Sequence, residues 1–191
     1  MSLWKLLSCL ALTFAVGACC NPPTSAVLPV PLLAQQESNW CWAASGQMIM
    51  NYLHPGSAVA QCDEANKEFG QASCCQNPGS NACNNGGWPQ FDKYGFTFNT
   101  TADGTALAWI QVQGEIYCSG KPFAFSWHWP GGGGHMMVVI GYSTVQAVNY
   151  VTVNDPWPPG AGDQWVNTYD YFVALPGDHT HWRDYYNVAY P

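Results

Sequence analysis

Apolar positions along the chain follow two different periods. Between residues 40 and 53 they recur at helical spacing, with Ala44, Met48 and Tyr52 on one stripe and Ala and Met supplying helix propensity. Ser38 or Asn39 offers an N-cap, and His54-Pro55-Gly56 ends the helix. A second, shorter helix fits 61–69 and stops at Gly70. A third fits 106–117, weakened by Gly114 and ended by Gly120-Lys121-Pro122. The Asn- and Gly-rich stretch 77–88 reads as loop. From Phe123 onward the period becomes two. Phe123–Trp127 alternates, Met136–Tyr142 is a buried-strand run, Tyr150–Val153 alternates again, and Tyr169–Ala174 does so less cleanly. Helices first and an antiparallel-looking sheet second predict an α+β fold.

The N-terminus changes this picture. Residues 1–18 carry Lys5, an apolar core from Leu6 to Val16 and small residues at Gly17-Ala18, as a secretory signal peptide does. Val16-Gly17-Ala18-Cys19 looks like a bacterial lipobox, which would make Cys19 a lipidated N-terminus anchored to a membrane; ordinary cleavage after Ala18 is the alternative. The prolines of 19–30 read as a semi-extended tether, leaving 31–191 as one domain. Of the 191 residues only 9% are charged while 15% are aromatic, which excludes disorder. The net charge of −7, with Lys67, Lys93, Lys121 and Arg183 the fixed cations after Lys5, argues against a nucleic-acid partner.

Nine cysteines in an exported chain point to disulfides. Cys62, Cys74, Cys75 and Cys83 are expected to form two bridges stapling a loop-rich region, while Cys118 is either free or paired with Cys20. A zinc site is the competing reading, but no C-x-x-C occurs. Cys41 stands apart. It lies at a helix start, where unpaired N–H groups and the dipole favour a thiolate. The dipole supplies only about 0.3–2 kcal/mol, so a nucleophilic Cys41 needs a cationic histidine beside it. Among five histidines, His135 follows Gly131-Gly132-Gly133-Gly134 and opens the most apolar strand, with a side-chain-free loop alongside for a substrate backbone. His54 reads as a helix-end cap and His128, between tryptophans, as structural. His179 and His181 form an H-x-H that lacks a matching acidic or Cys partner for a metal. The ring of His135 needs an orienting group, and Asn154 or Asp155, at the mouth of the next strand before Pro156, would supply it.

Gln35 to Ser45 with Cys41-Trp42, then the Gly-rich approach to His135, then Asn154-Asp155-Pro156, resembles the papain-like cysteine peptidases. Closest is the secreted bacterial group that includes the plant-pathogen avirulence effector peptidase and, more distantly, the bacteriocin-leader peptidases. The resemblance implies a helical lobe carrying the Cys helix packed on a C-terminal antiparallel sheet lobe. It implies Cys41 as nucleophile, His135 as acid and base, Asp155 as orienter with Asn154 the minor choice, and Gln35 as oxyanion donor six residues before the cysteine. It implies a protein or peptide substrate, no cofactor and a monomer. Two other readings stay open. One is a transglutaminase-like enzyme or cell-wall amidase with the same Cys, His and polar order. The other is a surface binding protein that stacks ligands on Trp127, Trp129, Trp157, Trp165 and Trp182.

Overall fold

The computed structural model describes residues 20–191. The expected leader and the expected lipidation site at Cys19 therefore lie outside the described residues. Two helices come first: α1, Cys41–Leu53, and α2, Gln61–Phe69, the latter closed by Gly70 in the left-handed conformation. A six-strand path follows in the order β2-β8-β3-β4-β5-β6, antiparallel throughout. Its strands are β2 Thr97–Thr100, β3 Phe123–His128, β4 Gly134–Val145, β5 Val148–Asp155, β6 Asp163–Thr168 and β8 His179–Ala189. A short β1, Ser25–Val27, pairs with β4, and β7, Ala174–Leu175, pairs with β8. This is the α+β architecture read from the sequence.

Both faces of the sheet are covered, which explains why Met136–Ile140 is an unbroken apolar run. Met136, Val138 and Ile140 pack with Met48, Ile49 and Trp42 of α1 in one core. Met137 and Val139 face a second core with Phe125, Val153 and Phe172. A bulge between Val139 and Gly141 resets the alternation, so Tyr142 joins the second core. Helix α1 is buried nearly all round, as a helix apolar on every side should be.

Four expectations are corrected. Residues 20–30 are not a free tether. Between the prolines, Ser25–Val27 keep their N–H groups and take over the edge of β4 where β3 ends, from Gly141 to Ser143. Tyr142 donates to the Pro23 carbonyl at 3.1 Å, and Cys20 is bonded to Cys118. The third helix is shorter than expected, running as α3 from Trp109 to Gln113 before widening into a π-turn over Gly114–Cys118. Tyr169–Val173 is a helix, α4, not a strand: the Thr168 hydroxyl accepts from the Tyr171 N–H at 3.2 Å and caps it. Finally, neither Ser38 nor Asn39 caps α1; Trp40 occupies the N-cap position. Both polar residues are instead tied to Asn84, Ser38 through its hydroxyl and Asn39 through its backbone N–H and its side chain.

The disulfides are Cys62–Cys75, Cys74–Cys83 and Cys20–Cys118, leaving Cys41 as the free thiol among the described residues. The first two staple the loop-rich region after α2, as expected. No helix among the described residues is long and apolar enough to cross a membrane.

Candidate active site

Cys41 is the first residue of α1 and is half-buried at the wall of a groove. Its N–H belongs to the first turn, whose donors have no partner within the helix. The helix start is held from outside. Trp40 donates its indole N–H to the Cys83 carbonyl at 2.8 Å, and Trp42 donates to the Asn85 carbonyl at 3.1 Å. The Cys74–Cys83 bridge therefore fixes the loop that positions the thiol.

His135 is the second residue of β4 and pairs across the hairpin with Trp127. Three of the four preceding glycines are demanded by that hairpin. Gly132 and Gly133 have φ of 91° and 77°, a conformation that disfavours side chains. A Cβ on Gly134 would strike the Trp127 carbonyl. Trp129 lies parallel to the His135 ring, with centroids 6.4 Å apart and planes 10° apart.

Asp155 ends β5 beside this hairpin. Its Oδ1 sits 2.6 Å from His135 Nε2 and also accepts the Trp157 N–H at 2.8 Å; Oδ2 accepts the Trp165 indole N–H at 3.3 Å. The carboxylate is thus aimed by two donors before it meets the imidazole. With Nε2 engaged, the other ring nitrogen is left for Cys41, which shares the groove wall with His135. Burial pushes the His135 pKa down. The hydrogen bonds and charges of Asp155 and Cys41 outweigh it and raise the value to about 9. The ring is therefore held as an imidazolium at neutral pH.

The structure brings Cys41, His135 and Asp155 together and leaves the other candidates elsewhere. Asn154 points the opposite way from Asp155, as neighbouring strand residues must. It is fully buried, donating to the Val30 carbonyl at 3.1 Å and accepting from Gln164 at 2.8 Å. Gln35 does not face the groove. Both hydrogens of its Nε2 go to the Glu37 and Ser38 carbonyls, at 2.8 and 2.9 Å, because an amide so deeply buried must satisfy its donors. Its backbone joins the turn before α1 to the loop after β5, through Pro156 at 2.9 Å and Gly160 at 3.0 Å.

His54 stacks on Tyr190, and His128 packs edge-on to Trp182. His179 spends one ring nitrogen on Asp178 and the other on the Tyr171 carbonyl, while its ring stacks on Trp127 at 3.7 Å. His181 turns to the buried Asp184, so the H-x-H pair does not converge on a metal. Cys62 and Cys75, next to Asp63, are joined to each other and cannot act as thiolate ligands. Of the five tryptophans read as exposed, Trp129 and Trp157 are; Trp127 is buried, and Trp165 and Trp182 are half-buried.

The groove encloses about 740 Å³ between the start of α1, the Asn85–Trp88 loop and the β3–β4 hairpin. Gly86, Gly87, Trp88 and Glu68 on its far wall were not singled out from the sequence. They carry no catalytic pattern of their own; α2 brings Glu68 to the groove, and the loop after the Cys74–Cys83 bridge brings the other three.

The Peptidase_C39-like family matches residues 27–189, most of the chain. No curated protein matches it. Among solved structures, digestive procathepsin L 3 from the larval midgut of Tenebrio molitor shares the fold with a TM-score of 0.51 at 13% identity, over 88% of this chain and 71% of its own. A chain from the structural comparison of the mite allergens Blo t 1 and Der p 1 gives 0.53 at 10% identity, over 90% and 73%. At such identities the likeness speaks for the fold, while the family match carries the class. The chain thus belongs to the Peptidase_C39-like family and is a cysteine peptidase built on the papain-like fold.

Proposed function

We propose that the protein hydrolyses peptide bonds through a Cys41–His135–Asp155 triad. The observation that supports this most strongly is an imidazole bonded to an oriented carboxylate and sharing the wall of an open groove with the free thiol at a helix start. The Cys41 thiolate attacks the substrate carbonyl, whose oxygen takes the negative charge beside the Cys41 N–H at the start of α1. His135 gives its proton to the leaving amine, then takes one from the water that releases the acyl group, regenerating the thiolate. Asp155 holds the ring in place and favours its charged form. Gln35 is a positioning residue for the turn before α1, its Nε2 donating to the Glu37 and Ser38 carbonyls within that turn.

Treatment with a thiol-reactive epoxide inhibitor of papain-like enzymes is expected to label the wild type and leave Cys41→Ala unlabelled. Equal labelling of both would contradict the assignment of Cys41. Casein cleavage without amine incorporation or peptidoglycan release separates a peptidase from a transglutaminase or a cell-wall amidase. Three disulfides fit an oxidising compartment, which supports export through the residue 1–18 leader. Lipidation at Cys19 would then place the enzyme, as a monomer, on a membrane surface, and Cys19→Ala is expected to release it from the membrane fraction.

A further inference from the structure

We infer that Glu68 makes the groove selective for peptides that present a lysine or arginine side chain to it; this rests on the peptidase reading above. Glu68 lies near the end of α2, half-buried in the groove wall. Gly87 separates it from Trp42, the residue after the thiol. A Cβ on Gly87 would lie 3.0 Å from Glu68 Cγ and 2.9 Å from Trp42 Cε2, so the acid stem and the indole flank one point of backbone. The carboxylate is held in place by a neutral partner. Gln90 Nε2 donates to Glu68 Oε2 and also to the Trp88 carbonyl at 2.7 Å.

No cation compensates this charge among the described residues. Lys67, its neighbour on α2, lies over the Tyr94 ring at 4.9 Å. Arg183, stacked near Trp88, spends its guanidinium on Asp103 at 2.6 and 2.8 Å. The other carboxylate on the groove wall, Asp155, is bonded to His135, and the wall contains no lysine or arginine. A carboxylate fixed by an amide on the groove wall, set beside Gly87 and lacking a counter-ion, is arranged for a cation delivered by the substrate. An acidic substrate side chain at the same place would meet repulsion.

The test uses the mature wild-type chain and peptide pairs that differ only by lysine against norleucine at each position around the cleaved bond. At one position lysine is expected to raise kcat/KM about tenfold, an advantage that shrinks in 0.5 M salt. Glu68→Gln is expected to reduce that ratio to about twofold. Binding of the same pairs to Cys41→Ala, followed by tryptophan fluorescence, gives a readout independent of turnover, with about tenfold tighter binding of the lysine peptide. Equal kcat/KM and equal affinity for every pair, or an undiminished ratio in Glu68→Gln, would overturn the inference. Absence of all cleavage with lysine-selective binding intact would sink the peptidase reading and leave this inference standing.

Discussion

His135 answers two opposed demands. Burial favours a neutral ring, whereas the Asp155 carboxylate and the Cys41 sulfur favour an imidazolium, and the second influence prevails. The pKa is raised from 6.5 to about 9, so the charged pair contributes stability in full below about 6.5, and this is lost as pH rises through about 9. In the proposed mechanism the same proton goes to the leaving amine. The alkaline limb of kcat/KM is therefore expected near pH 9. Asp155→Asn should move that limb toward neutrality and lower kcat/KM at pH 8 by on the order of tenfold or more. A limb that stays in place would show that Asp155 does not act on the ring. Asn154→Ala is expected to leave the limb alone and to cost about 1–3 kcal/mol of stability, read from denaturant unfolding, because it strands buried partners. Which of the two residues meets His135 was open in the sequence. Strand alternation settles the geometry, but only once the register of β5 against β4 is known.

At the scale of elements, the β3–β4 hairpin holds the ring and α1 holds the thiol. Gly134 is the tightest point of the hairpin, because a methyl group there meets the Trp127 carbonyl, a backbone atom that cannot swing aside. Gly134→Ala is expected to cost about 1–3 kcal/mol and to reduce turnover by displacing His135. Gly131→Ala, with open space around it, should change neither thermal unfolding nor turnover. Helices α1 and α2 were legible because their apolar spacing and end signals are strong, and β4 because both its faces are buried. Strand β8 was not. It buries His179, His181 and Asp184 among its apolar residues, so its inward positions are polar and no alternation shows. Edge strand β6 has only two adjacent apolar residues, Trp165 and Val166, among polar ones, and β1 is hidden among prolines that read as a tether. Tyr169–Val173 fits either period over five residues, and a single capping threonine decides it.

Across the whole molecule, the disulfides divide into two roles. Cys20–Cys118 spans 98 residues and pins the N-terminal strand to the far end of the π-turn; cross-links of such span are worth about 2–5 kcal/mol. The double variant Cys20→Ser/Cys118→Ser is expected to melt several degrees lower while its folded population keeps turnover. Cys74→Ser/Cys83→Ser should lose turnover as well, since the Cys83 carbonyl anchors Trp40 at the start of α1. Equal turnover in the two double variants would contradict this division. The order Cys41, His135, Asp155 was readable because local signals mark each residue: a helix start, a Gly-rich hairpin and a strand end before proline. The far groove wall and the inward turn of Gln35 were not, because both depend on loops held by long-range contacts. The most direct test of the triad is a comparison of kcat/KM for Cys41→Ala, His135→Ala and the double variant. Each single change should cost about 10³-fold or more, with no further loss in the double, because the two side chains act as a unit. Turnover surviving either single change, or losses that multiply in the double variant, would contradict the account.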